Sequence, residues 1–274
     1  MKLSHPSFTR RHLTKAAALG SLALVSTASA TLLVDPTGGE ILASSSFGHA
    51  DKDDGFAQTP HYLDAPFFGQ SLLSPFPNIS FNGYLYFGTG DSDGGSAPAT
   101  FGVSDVTRIS PLWTNLTLDA TSQVIQNTGP IGLDGFTADY NAVTWMNMQG
   151  GLGNEGFSAT FQAIYFNNAA TINGISFAAG DIAFSYGDIT NFDELADVII
   201  GLDQGTGGSA TLPGYEAMGG WAAIGTFPTG ANEYVHFRPD GSGNYNVTIA
   251  PIPEPGTTAA ALLGGMLLTG RRRR

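Results

Sequence analysis

Between Thr31 and Ala250 the apolar residues come in short runs that alternate with polar ones, and this constrains the fold more than any other feature of the chain. Phe157-Ser158-Ala159-Thr160-Phe161-Gln162-Ala163-Ile164-Tyr165-Phe166 and Ile79-Ser80-Phe81-Asn82 both carry the period of two expected of a half-buried strand. Further strands are expected at Arg108–Leu118, Ala142–Met148, Asp181–Tyr186, Val198–Leu202, Trp221–Phe227, Glu233–Arg238 and Tyr245–Ile249. Turn signals separate them, as at Asn82-Gly83, Asp134-Gly135 and Asp240-Gly241. Only Asp193–Ile200 reads as helical, with Asn191 or Asp193 as its cap. The expected fold is therefore all-β, a single β-sandwich-like domain, with all of the chain's 18 phenylalanines but Phe8 available to fill its core and no repeat at a fixed period.

Charge narrows the functions available to such a body. Residues 31–250 carry three cations, Lys52, Arg108 and Arg238, against 22 carboxylates, a net charge of −19. A phosphate backbone is bound by releasing counterions to lysine and arginine, so nucleic acid is excluded as a partner. Divalent cations would be attracted, although an acidic surface also serves solubility alone. The chain has no cysteine, which removes disulfides, thiolate metal sites and thiol nucleophiles together.

The eight remaining cations lie at the two ends. Residues 1–30 place basic residues before the apolar stretch Ala16–Val25 and end in Ala28-Ser29-Ala30, the order of a cleavable export signal cut after Ala30. Thr9-Arg10-Arg11-His12-Leu13-Thr14-Lys15 resembles the twin-arginine signal, in which the pair Arg10-Arg11 is read by a translocase for folded proteins. Leu13 and Thr14 depart from the residues common there, so the general secretory route stays open. At the other end, residues 251–274 contain Pro253-Glu254-Pro255, an apolar run Thr257–Gly270 and Arg271-Arg272-Arg273-Arg274. As a helix the run reaches roughly 21 Å, short of the roughly 30 Å hydrocarbon core of a bilayer, which suits a shallow transmembrane helix with the arginines left inside. Motif, run and cluster together resemble the PEP-CTERM sorting tail of exported proteins in bacteria that make exopolysaccharide. The resemblance implies transient membrane attachment through the tail and recognition of Pro253, Glu254 and Pro255 by an exosortase, a membrane protease-transferase.

A series of ordered blocks of the body resembles nidogen-like domains. They run from Asp53-Asp54-Gly55, Pro66-Phe67-Phe68-Gly69 and Phe81-Asn82-Gly83-Tyr84-Leu85-Tyr86-Phe87-Gly88, through Ile109-Ser110-Pro111-Leu112-Trp113-Thr114-Asn115-Leu116 and Ala142-Val143-Thr144-Trp145-Met146-Asn147-Met148. Thr160-Phe161-Gln162-Ala163-Ile164 with Phe184-Ser185-Tyr186-Gly187-Asp188-Ile189 follows, then Ile199-Ile200-Gly201-Leu202-Asp203 and Leu212-Pro213-Gly214. The match covers about 53–214 and departs at Leu112, where the family usually has an aromatic residue. It implies an adhesive extracellular module associated with matrix proteins or polysaccharide.

Catalytic motifs are missing from the sequence. His49, His61 and His236 stand apart from one another, and no nucleophile elbow, His-Glu-x-x-His or phosphate-binding glycine loop is present. The abundant carboxylates leave open a glycosidase pair. Calcium is the sharper candidate: His49-Ala50-Asp51-Lys52-Asp53-Asp54-Gly55 and Gly90-Asp91-Ser92-Asp93-Gly94-Gly95 space carboxylates two apart in glycine-rich loops, making Asp51, Asp53, Asp91 and Asp93 candidate ligands. Three functions follow in order: a non-catalytic surface or matrix protein, a secreted polysaccharide-active hydrolase, and an ice- or surface-binding protein. The last ranks lowest because no Thr-x-Thr array is visible.

Overall fold

The structure is a computed structural model and describes residues 31–47, 52–72, 75–88, 106–152, 155–192, 195, 198–205, 208–213, 215 and 232–253. Residues 1–30, expected to be an export signal, Asp91 and Asp93, the expected strand Trp221–Phe227 and the tail beyond Pro253 lie outside these residues. No α-helix occurs among the described residues, and none of their helices is long and apolar enough to cross a membrane.

The strands, in order, are β1 (Glu40–Ser44), β2 (Phe56–Gln58), β3 (Pro77–Ser80), β4 (Tyr84–Phe87), β5 (Thr107–Trp113), β6 (Leu116–Thr117), β7 (Gln123–Thr128) and β8 (Tyr140–Gly150). There follow β9 (Ser158–Phe166), β10 (Ala170–Ile172), β11 (Ile175–Phe177), β12 (Ile182–Thr190), β13 (Ile199–Asp203), β14 (Ser209–Thr211), β15 (Glu233–Pro239) and β16 (Tyr245–Pro251). The larger sheet runs β1-β7-β8-β9-β12-β15-β16, with β6 also on β8; the smaller runs β14-β13-β5-β4-β3-β2; β10 and β11 form a separate hairpin. All pairs are antiparallel, and the class is all-β and sandwich-like, as the alternation predicts.

The two sheets face each other across one apolar core. Phe161, Phe184, Val235 and Phe237 of the larger sheet share it with Ile79, Leu85, Ile109 and Leu202 of the smaller. Trp145 stacks on Phe161 at 5.2 Å, and its Nε1 donates to the Ser80 carbonyl of the opposite sheet at 2.8 Å. Tyr186 Oη donates across the same gap to the Pro111 carbonyl at 2.8 Å. Each large side chain removed from water here stabilises the fold by roughly 1.5–3 kcal/mol, and the two hydrogen bonds satisfy polar tips that burial would otherwise strand.

Two expectations need correction. The helix expected over Asp193–Ile200 gives way at its end, where Ile199 and Ile200 open β13; Val198, Ile199 and Ile200 are wholly buried β-branched residues, and Ile199 pairs with Trp113 of β5. Asn191 has φ +54°, a left-handed conformation unlike an N-cap, and its Nδ2 donates to the Gly156 carbonyl. The second correction concerns β9, expected to be half-buried and in fact covered on both faces. On its outer side Leu33 and Val34 join the β10–β11 hairpin and Ile164, Phe166, Ala183, Tyr234 and Ile252 in a second cluster. Gln162 is polar in the sequence yet fully buried, because its amide acts as a short strand. Oε1 accepts from the Val34 N–H at 3.1 Å, while Nε2 donates to the Val34 carbonyl at 3.0 Å and to Thr144 Oγ1 at 2.8 Å.

Burial also sets an alkaline limit on this fold. Desolvation raises the phenol pKa of Tyr165, Tyr186 and Tyr245 above the ordinary value of 10.0 and that of Tyr215 to about 12. The folded state thus keeps protons that the unfolded state gives up near pH 10, so stability is full below that pH and falls as pH rises toward 12 and beyond. Near-ultraviolet absorbance should show these tyrosines ionising only as far-ultraviolet dichroism is lost; all nine ionising together near pH 10 in a folded protein would refute it.

Candidate functional site

At one end of the sandwich the apolar core gives way to amides and rings. Thr59 to Leu63 crosses this end and is tied down by the body. The Tyr165 hydroxyl donates to the His61 carbonyl at 3.1 Å, and Asn167 Nδ2 donates to the Tyr62 and Ala138 carbonyls at 2.9 Å each. Beside it stands the hairpin that joins β7 to β8, closed by the Gly132 N–H on the Thr137 carbonyl at 2.7 Å. The Asp134-Gly135 turn read from the sequence is its tip, with Gly135 at φ +77°. The Asp134 carboxylate accepts from the Thr137 hydroxyl, from the Thr137 and Phe136 amides and from Tyr62 Oη, which holds its pKa well below the usual carboxylate range.

These contacts raise a ledge of rings. Tyr62 meets Phe76 edge-on at 5.0 Å and lies nearly parallel to Phe136 at 6.3 Å; Phe76 and Phe136 are 44% and 48% exposed. Ile131 and Leu133, on the same hairpin, are exposed as well. Next to the ledge opens a pocket of about 240 Å³ lined by Gly39, Glu40, His61, Gln126, Asn127 and Thr128. His61 belongs to both, since its Nδ1 lies 3.2 Å from the Phe136 carbonyl oxygen. Gln126 is 2% exposed, and neither its Oε1 nor Asn127 Oδ1 has a hydrogen-bond partner among the described residues. Such a site can stack a ligand on rings and accept hydrogen bonds from it in one approach.

The residues singled out in the sequence fall elsewhere. Asp53 lines a separate cleft of about 400 Å³ with Lys52, Thr117, Gly151, Leu152 and Glu155. Asp54 Oδ1 accepts from Asn82 Nδ2 at 3.0 Å and so fastens its loop to the β3–β4 turn. Asp51, Asp91 and Asp93 lie outside the described residues, among which no three histidines, aspartates or glutamates gather as a metal site. Of the expected sorting motif only Pro253 is described; it directly follows Ile252, which is buried and whose N–H bonds the Asn232 carbonyl at 2.7 Å.

Two charged clusters hold strands together. Arg108 of β5 and Asp203 of β13, both fully buried, pair at 3.6 Å, with the guanidinium 5.0 Å from the Trp113 ring and 5.9 Å from Tyr84. On the outer side of the larger sheet His236 Nε2 lies 3.0 Å from Asp181 Oδ2, and Phe177 meets the His236 ring edge-on at 5.4 Å. Arg238 approaches the other Asp181 oxygen at 3.8 Å. No hydroxyl hydrogen-bonds His236 among the described residues.

The ledge escaped the sequence reading because Tyr62, Phe76 and Phe136 are brought together only by the fold. The one local signal was an aromatic residue next to a turn, as in Pro75-Phe76-Pro77 and Asp134-Gly135-Phe136, where burial is hard to arrange. Compared with protein-family models, with curated proteins and with solved structures, the chain matches none.

Proposed function

We propose that this chain is an exported, non-catalytic cell-surface or extracellular-matrix protein with a nidogen-like body. The body associates with extracellular polysaccharide or matrix proteins, and the PEP-CTERM tail is read by an exosortase-type enzyme while it holds the protein at the membrane. The observation that carries this reading is the order of parts: an export signal, a strongly acidic body, and Pro253-Glu254-Pro255 followed by an apolar run and four arginines. Two structural facts support it. Blocks that resemble nidogen-like domains fall on β4, β5, β8, β9, β12 and β13, which occupy inner positions of both sheets. The body's last strand ends at Pro251, two residues before the motif.

Fractionation of a tagged copy tests the sorting step. In an exosortase-containing host the tag should leave the cytoplasmic membrane, and in a strain lacking the enzyme it should stay there. Retention in both strains removes the basis for the reading.

A further inference from the structure

We propose that the ledge and pocket together form a binding site for an uncharged polysaccharide, with ring faces of the polymer on Tyr62, Phe76 and Phe136 and hydroxyl groups in the Gln126 pocket. This rests on the matrix-association reading only for where the polymer comes from; the binding site is argued from its own chemistry. Half-exposed phenyl rings gain by shedding water against an apolar face, and a pyranose offers such a face through its C–H groups while keeping hydroxyls at its rim. The pocket supplies what those hydroxyls need. Gln126 Oε1 and Asn127 Oδ1 are buried acceptors without partners among the described residues, and hydroxyl groups are donors.

Charge selects among polymers. Glu40 at the pocket, Asp134 at the ledge and a body of net charge −19 all oppose a carboxylated, sulfated or phosphorylated chain, so the occupant is neutral. The site is also built in advance. Asp134 fixes the Tyr62 hydroxyl at 2.8 Å and Asn167 fixes the Tyr62 carbonyl, so little side-chain freedom is lost when a ligand arrives.

The test is affinity electrophoresis of the purified protein through gels containing a soluble uncharged glucan, mannan or galactan, or the neutral fraction of the host's own extracellular polysaccharide, with alginate as the polyanion. At least one neutral polymer should retard the protein, equally at low and high salt, and Phe136→Ala and Phe76→Ala should each weaken the retardation about tenfold. Both rings are half-exposed, so the variants should fold, and unchanged circular dichroism checks that they do. Retardation by alginate alone, retardation that salt abolishes, no retardation by any neutral polymer, or full retardation of Phe136→Ala would each overturn the proposal. So would ledge-dependent self-association in sedimentation with no sugar bound. A protein that binds glucan yet stays in the membrane of both strains would refute the sorting step and leave this site standing.

Discussion

Gly83→Ala should lower the stability of the body by about 3–5 kcal/mol and its melting temperature by roughly 10 °C. Gly83 has φ +83°, which by itself costs an alanine about 1–2 kcal/mol. The larger part is steric. A Cβ built there would sit 2.1 Å from the Leu112 carbonyl oxygen and 3.0 Å from Phe161 Cζ, so the turn or β5 must move. Neither can move alone. Asn82 beside it is wholly buried; its Oδ1 accepts from the Leu116 N–H at 2.9 Å and its carbonyl from the Thr114 N–H at 3.2 Å. Gly135→Ala is the control, because Gly135 has φ +77° and nothing within 4 Å of its would-be Cβ. If the two variants melt alike, the turn yields and the packing account of Gly83 is wrong.

Asp203→Asn is the second large effect expected, a loss of about 3–5 kcal/mol for a change of one atom. The substitution keeps an acceptor for the Gly205 N–H, now bonded to Asp203 Oδ1 at 2.8 Å, and removes only the charge that faces Arg108. Arg108 cannot shed its proton, so its charge stays buried between β4, β5 and β13 with the Trp113 and Tyr84 rings as compensation. Replacing both partners, as in Arg108→Met with Asp203→Leu, should cost less than Asp203→Asn alone, because no charge is left in the sheet. Chemical denaturation of the single and double variants decides it: a double variant weaker than either single one would show that the pair acts through contacts other than its charges.

How far the sequence led can be seen residue by residue. Alternation located β9, and Asn82-Gly83, Asp134-Gly135 and Asp240-Gly241 located turns whose glycines have positive φ. The same reading failed where residues face other parts of the protein. Val198-Ile199-Ile200 is apolar without a period, so strand and helix look alike until β5 supplies a partner. β7, with the sequence Gln123-Val124-Ile125-Gln126-Asn127-Thr128, reads as a polar stretch, yet it pairs with β1 on one side and β8 on the other. Buried amides such as Gln162 and Asn82 look like surface residues because their hydrogen-bond partners lie up to 128 positions away. The candidate site suffers most from this. Tyr62 and Phe136 are ordinary aromatic residues until Asp134 and Asn167 place them side by side.

The seam at the outer cluster has a mechanical consequence. Leu33 and Ile252 belong to the same cluster, so the first and last described segments meet at one small region of the larger sheet. Tension applied along the chain beyond Pro253 therefore reaches Ile252 first, at the end of an edge strand that pairs with β15 from Glu233–Pro251 to Pro239–Tyr245. Pulled from that end, β16 would peel one rung at a time. The buried Ile252 side chain and its hydrogen bond to Asn232 act as the clasp that must open before the first rung is loaded.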